Sequence, residues 1–315
     1  MIVTLTPNPS VDRTVSIDSL DRGAVMRATA SREDPGGKGI NVSRALALNG
    51  TPTAAVLPVG GAYGRLMLTL LEPLGLDVRP VPIGEPIRAN IAVVEPDGTT
   101  TKVNEQGPAL QPDEIEALRR AVLDASAEAS WVVCCGSLPP GVPDDFYAAL
   151  VRRAHEAGLK VAVDSSGSPM TEALSAAPDL IKPNRIELAE AVGRELGTVG
   201  AVVDAARDLI ASGVGTVVVS LGRDGALLVD ADQVVHAAAS ISRPLSTVGA
   251  GDSLLAGYLH GVHAGEEPAA ALARAVAFGA AAVMLPGSEM PGPAQVAAVR
   301  VSLDRDPDPA RPLTD

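Results

Sequence analysis

The sequence predicts an α/β fold: a mostly parallel sheet covered by helices on both faces, with a small antiparallel β lid. Three observations carry this. From Pro112 onward, helical patterns alternate with solid apolar runs such as Trp131–Cys135 and Lys160–Asp164. Solid apolar strands between helices imply a parallel sheet buried on both faces. Before that, residues 13–17, 25–32, 89–95 and 99–104 alternate apolar with polar side chains, which suits a sheet with one wet face. Finally, 46% of the 315 residues are apolar, enough for a large core.

Residues 1–5 form a short apolar strand that stops at TPNPSVD, a Pro- and Asn-rich loop holding Asp12. Strands 13–17 and 25–32 flank the turn SLDRG. In PGGKGINVSRALALNG, Gly36, Gly37 and Gly39 permit close backbone approach, and a helix runs from Val42 to the stop signal at Asn49 and Gly50. A buried strand (54–59) and a helix (64–74) follow. Pro96, Asp97 and Gly98 join 89–95 to 99–104 as a hairpin, with Arg88 at its start. Next come a helix (114–127), Trp131–Cys135 ending in GSLPPG, a helix (146–157), and Lys160–Asp164 ending in SSG. Strand 180–182 ends in PN, ahead of a helix from Arg185 and another at 203–212. Thr216–Ser220 and Ala226–Val229 flank LGRDG; helices 251–262, 269–284 and 294–303 close the pattern. The Asp- and Pro-rich 304–315 reads as a disordered tail. Ligands of such sheets bind at the carboxyl ends of the strands. Asp12, Ser137, Asp164, Lys182, Asn184 and Ser220 are therefore expected on one rim.

A net charge of −13 argues against nucleic acid and anionic membrane as partners. The longest apolar stretch, 275–285, is too short to span a bilayer, and the first residues lack the pattern of a signal peptide. Cys134 and Cys135 are adjacent on a strand and point to opposite faces, so no disulfide joins them. A cytoplasmic protein is the expectation. The four histidines have no metal-ligand spacing.

STVGAGDSLLAG, from Ser246, reads as a Gly-rich turn entering a helix. Its free N–H groups and dipole make an anion site. Asp252 there has two explanations: a base that takes a proton from an attacking hydroxyl, or an acidic residue favoured by the dipole. Asn184 and Glu187 have two as well: a capping box, or groups that order water around Mg²⁺. SLGRDG could be a nucleotide loop or a tight hairpin.

TPNPSVD, GGKGINV, GSLPPG, VDSSG, KPNRIEL, SLGRDGAL and STVGAGDS occur in that order over residues 6–253. In this the chain resembles the PfkB, or ribokinase-like, carbohydrate kinases. It leans toward their phosphosugar branch and, through Lys38, toward the 1-phosphofructokinases. The resemblance implies a three-layer α/β/α fold. A large nucleotide- and substrate-binding domain would comprise 1–11, 34–86 and 105–303, and a lid 12–33 and 87–104. It also implies ATP- and Mg²⁺-dependent phosphorylation of fructose 1-phosphate at O6, with tagatose 6-phosphate or fructose 6-phosphate as alternatives. A non-catalytic sugar-phosphate sensor is the rival reading. Asp252 would be the base, with the N–H groups of Gly249, Ala250 and Gly251 holding developing charge. Asn184 and Glu187 would organise Mg²⁺, and Lys182, Ser220, Gly222 and Gly225 would meet the nucleotide. Asp12, Gly36, Gly37, Lys38 and Asn41 would grip sugar hydroxyls. Lys38, Arg88, Ser137 and Arg27 would meet the phosphate already on the sugar. A homodimer through the lid is implied.

Overall fold

The computed structural model describes residues 1–241 and 244–314. In chain order the strands are β1 (Ile2–Leu5), β2 (Ser10–Ser16), β3 (Ala30–Gly36), β4 (Thr53–Val59), β5 (Asp77–Pro82), β6 (Arg88–Val94), β7 (Thr100–Asn104), β8 (Trp131–Cys135), β9 (Lys160–Asp164), β10 (Leu180–Ile181), β11 (Thr216–Ser220), β12 (Ala226–Val229), β13 (Val234–Ala239) and β14 (Val301–Asp304). The helices are α1 (Lys38–Leu48), α2 (Gly61–Leu71), α3 (Pro112–Ala125), α4 (Phe146–Glu156), α5 (Gly167–Leu174), α6 (Arg185–Val192), α7 (Val199–Ala211), α8 (Ala250–His263), α9 (Pro268–Val283) and α10 (Pro293–Ala297).

β1 is buried along its whole length and lies parallel between β4 and β8. Around it a ten-stranded sheet runs β14-β13-β12-β11-β10-β9-β8-β1-β4-β5. β11, β10, β9, β8, β1, β4 and β5 pair in parallel, while β12, β13 and β14 are antiparallel. Alternate residues of each strand feed opposite cores. Val132 and Cys134 pack with α3, α4 and α7, whereas Trp131, Val133 and Cys135 pack with α1, α8 and α9. The two adjacent cysteines thus face opposite layers, both free.

The second sheet has the order β3-β2-β6-β7. It consists of two antiparallel hairpin pairs, β2–β3 and β6–β7, whose seam β2–β6 is parallel. The parallel seam sets Asp12 opposite Asn90 and Ser10 opposite Arg88.

Several local expectations change. Asp12 lies on β2 rather than in a loop, and the second polar strand begins at Ala30 instead of residue 25. α1 starts at Lys38, four residues before the expected Val42. β5, α5 and β13 carry no strong sequence signal. β5 holds two prolines and survives because it is a sheet edge. The expected last helix stops at Ala297, and Val301–Asp304 instead forms an edge strand on β13. Nor does the expected disordered tail hold over its described residues. Arg311 O accepts Val199 N–H at 3.0 Å, Leu313 N–H donates to Gly197 O at 3.0 Å, and Thr314 N–H donates to Asp224 Oδ2 at 2.7 Å. The first N–H groups of α7, at Val199 and Gly200, donate to the carbonyls of Arg311 and Pro309, and Gly197 and Asp224 accept in return.

Candidate active site

Gly249 caps α8 with φ 75°, a left-handed conformation that glycine adopts without strain. A side chain there would also sit 2.8 Å from the Met290 methyl. Ala250 N–H donates to Thr247 O at 3.3 Å. The N–H groups of the helix's first turn have no acceptor within the helix. Asp252 stands in that turn, buried, and Asn41 Nδ2 donates to its Oδ2 at 2.8 Å. Burial, then repulsion from Asp164, pushes the Asp252 carboxyl up to about 6; Asn41, Lys38 and Lys182 pull the other way.

Asp164, the last residue of β9, is fully buried. Lys38 Nζ lies 2.8 Å from its Oδ1 and Lys182 Nζ 3.3 Å from its Oδ2. Burial alone would raise this carboxyl, but Lys182 and Lys38 outweigh it and hold it below the ordinary range. Lys38 is the first residue of α1, where the helix dipole disfavours a cation. The pull of Asp164, Glu187 and Asp252 outweighs burial and keeps it protonated. Lys182 also reaches α8, since a Cβ on Gly251 would stand 3.5 Å from its Nζ.

Asn184 and Glu187 do form a capping box. Asn184 Oδ1 accepts Glu187 N–H at 2.8 Å, and Glu187 Oε2 accepts Asn184 N–H at 2.8 Å. Glu187 Oε1 remains, 4.0 Å from Lys38 Nζ. Among the described residues, no cluster of three or more His, Cys, Asp or Glu side chains is arranged to ligate a metal directly. One carboxylate oxygen at the end of the parallel sheet fits Mg²⁺ carried by phosphates and water. Ser220 pairs with Asn184 across a parallel bridge, and Gly222–Asp224 make one 3-10 turn. Gly225, at φ 90°, lies so close to β13 that a Cβ would fall 2.1 Å from Ala237 O.

On the small sheet, Ser10 Oγ and Asn90 Nδ2 donate to Asp12 Oδ1 at 2.6 and 3.0 Å. Burial raises the Asp12 carboxyl against those bonds. Gly36 makes room for that carboxylate, which lies 2.3–2.5 Å from where a Cβ would be; Gly37 packs likewise on Thr6. Arg88 Nη1 donates to Glu105 O at 2.7 Å and Nη2 to Asn8 O at 3.1 Å. Its Nε is buried without a partner. Asn8 Nδ2 reaches Gln106 O at 3.0 Å and Ser137 Oγ at 3.3 Å, tying Arg88 and Ser137 to one corner. A cleft of about 170 Å³ opens at Asp12 and Asn90, lined also by Asp34, Lys102, Val248 and Ser288 among others. A larger cavity of about 580 Å³, between β13 and the segment after α10, is lined by none of the candidate residues.

Asp252, Asn41, Lys38 and Lys182 thus come together around Asp164, and Asp12, Arg88 and Ser137 gather along the lid edge. Lys38 does not join Arg88: it faces Asp164, Glu187 and Asp252, whereas Arg88 faces Asp12 and Glu105. Arg27 is exposed on the connection between β2 and β3, with no hydrogen bond or ion pair to any described residue. Sequence reasoning put Asp164 on the rim without a role and missed Asn8 and Asn90. The β2–β6 register that sets Asn90 beside Asp12 is the signal for the latter, and it is a long-range one.

The model of the pfkB family of carbohydrate kinases matches residues 6–294. This chain belongs to the PfkB family. As a PfkB kinase it is a phosphotransferase that takes ATP as a substrate. Among relatives, the 1-phosphofructokinase of Rhodobacter capsulatus is 37% identical over 300 residues, 95% of each chain. The ATP-dependent 6-phosphofructokinase isozyme 2 of Escherichia coli K12 is 38% identical over 257 residues, 81% of this chain and 83% of that one. The crystal structure of Escherichia coli phosphofructokinase-2 with potassium superposes with a TM-score of 0.89 at 34% identity, covering 94% of this PfkB chain and 96% of that one. A ribokinase from Thermotoga maritima shares the fold, with a TM-score of 0.78 at 21% identity.

Proposed function

We propose that this kinase transfers the γ-phosphoryl group of ATP to O6 of fructose 1-phosphate, giving fructose 1,6-bisphosphate and ADP. The observation that carries the chemistry is Asp252. It is a buried carboxylate with its pKa raised to about 6, oriented by Asn41 and set in the first turn of a glycine-capped helix. The O6–H proton passes to Asp252, O6 bonds the γ-phosphorus, and the bond to the ADP oxygen breaks. The N–H groups at Gly249, Ala250 and Gly251 hold the charge that develops. Lys38 and Lys182 serve the same end of the site; this reading moves Lys38 from the sugar's own phosphate to the transferred group. Mg²⁺, held through water by Glu187 beside the Asn184 cap, would neutralise phosphate charge. Ser220, Gly222 and Gly225 line the nucleotide. Asp12, with Gly36 against it, meets sugar hydroxyls together with the neighbouring Gly37, and Arg88 with Ser137 meets the existing phosphate.

The substrate assignment is supported by the relatives named 1-phosphofructokinase. The relatives named 6-phosphofructokinase isozyme 2 support fructose 6-phosphate as a second reading. β-Fructofuranose carries a CH₂O group on each side of the ring, so one pocket can present either oxygen. An ATP-to-ADP assay with fructose 1-phosphate, fructose 6-phosphate and tagatose 6-phosphate tests it; kcat/KM greatest on either of the last two overturns the first. The small sheet is read as a lid that pairs with a second copy. Val103 on β7 is 58% exposed and Val25, on the connection between β2 and β3, is 91% exposed, and sedimentation of the purified protein reads the dimer. No described helix is long and apolar enough to cross a membrane, in keeping with a cytoplasmic location.

A further inference from the structure

Lys38, Asn41 and Arg44 follow one another at three-residue spacing on α1, so they share one side of the helix. Arg44 is half-buried and is not among the residues that line the 170 Å³ cleft at Asp12. Its Nη1 donates to Asn41 Oδ1 at 3.1 Å, while Asn41 Nδ2 donates to Asp252 Oδ2 at 2.8 Å. A guanidinium can only donate, and an ionised carboxylate can only accept. The amide between them therefore has one workable orientation. Turned over, it would set its NH₂ against the guanidinium and its oxygen against the carboxylate.

We propose that Arg44 is a positioning residue for phosphoryl transfer: it holds the Asn41 amide so that its NH₂ always faces Asp252. The proposal rests on Asp252 as the base. A donor to the charged form of a carboxyl favours that form, so the chain Arg44–Asn41–Asp252 keeps the base ionised where burial and Asp164 work against it. The other charges around Asp252 are Lys38 of α1, Asp164 of β9 and Lys182 after β10. Those around Arg44 are Asp12 of β2, Arg32 and Asp34 of β3, and Glu289 after α9. Lys38 and Lys182 stay in place when Arg44 is changed, so the effect sought belongs to the amide.

The test is the pH profile of kcat/KM for fructose 1-phosphate at saturating ATP, for the wild type, Arg44→Met and Arg44→Lys. The substrate phosphate titrates identically in all three and drops out of the comparison. Arg44→Met is expected to move the acid limb upward by about one pH unit, giving about a fivefold loss at pH 6 and little change at pH 8. Arg44→Lys, which still only donates, is expected to return the limb most of the way. A limb that stays put, an equal loss at every pH, or a shift that lysine does not reverse overturns the proposal. If Arg44→Met does not fold, Arg44→Gln takes its place; it is two bonds too short to reach Asn41, and the same shift is expected. Asp252→Asn is assayed in parallel. If that variant keeps its activity, Asp252 is not the base; if it is inactive while the limb stays put, only the role of Arg44 fails.

Discussion

Asp164 and Asp252 are buried carboxylates in contrasting surroundings. Asp164 is neutralised by Lys38 and Lys182, whereas Asp252 has an amide as its hydrogen-bond partner. Removing each should have opposite consequences. Asp252→Asn keeps the shape and the Asn41 contact, and kcat is expected to fall roughly 10²–10⁴-fold. Because the Asp252 pKa is raised, the native state binds its proton more readily than the unfolded chain. Its favourable contribution therefore fades as pH rises through about 6. The Tm of Asp252→Asn at pH 7.5 is thus expected to equal or exceed that of the wild type, as thermal melts would show. Asp164→Asn leaves two cations unmatched, and breaking a buried pair costs about 3–5 kcal/mol. With its pKa lowered, Asp164 stabilises the fold above the ordinary carboxylate range, and that is lost only as pH falls through its native value. The Tm deficit of Asp164→Asn should therefore be large at pH 7 and shrink toward acid, and melts across pH measure it.

At the scale of elements, the proposed function gives α6 and the start of β6 a chemical duty beside a structural one. Glu187→Gln still accepts Asn184 N–H, since Gln also completes a capping box. Tm is expected to hold while the Mg²⁺ needed for half-maximal rate rises, in titrations of rate against Mg²⁺. A lower Tm with an unmoved Mg²⁺ requirement would mean that Glu187 is only a cap. Arg88 at the start of β6 is braced by the carbonyls of Asn8 and Glu105. Losing one charge-assisted contact costs about 1.5–3 kcal/mol, so Arg88→Ala should lower kcat/KM for fructose 1-phosphate by roughly 10–150-fold. KM for ATP should not move. Kinetics on unphosphorylated fructose provide the control: an equal loss there would make Arg88 a brace of the lid that does not read phosphate.

Across the whole molecule, the segment after β14 returns to the Gly222–Asp224 turn, the nucleotide loop of the proposed function. Thr314 N–H and Oγ1 donate to the carboxylate of Asp224, the last residue of the 3-10 turn Gly222–Asp224. His236 Nε2 meets the carbonyl of the same residue at 2.6 Å. Ending the chain at Asp304 keeps β14 and removes this strap. KM for ATP is expected to rise about 3–10-fold, since these bonds are solvent-exposed and an ordinary hydrogen bond is worth about 0.5–1.5 kcal/mol, with KM for the phosphosugar unchanged. Steady-state kinetics of the shortened chain would show it. In a protein of charge −13, the proposed function assigns the admission of anionic ligands to the placed cations Lys38, Lys182 and Arg88.

The sequence by itself determined the layers and the order of the chemistry. Trp131–Cys135, Lys160–Asp164 and Thr216–Ser220 match their strands to the residue, because a solid apolar run after a helix has few alternatives in a parallel sheet, and Ala226–Val229 matches too because the LGRDG turn folds it back on β11. The glycine turn before Asp252 and the box at Asn184 are local patterns, legible within a few residues. Tertiary structure alone decided what is non-local. Pro-rich β5 and Ala-rich β13 are strands because neighbours pair with them. Residues 301–304 left a helical pattern to close an edge. Lys38 turned to Asp164, a residue 126 positions away, because a buried carboxylate must find a cation and a helix N-terminus disfavours one. Asn41, 211 positions from Asp252, came to orient it because α1 and α8 pack on the same face of the sheet. Such pairings depend on burial and register, which exist only once the chain has folded.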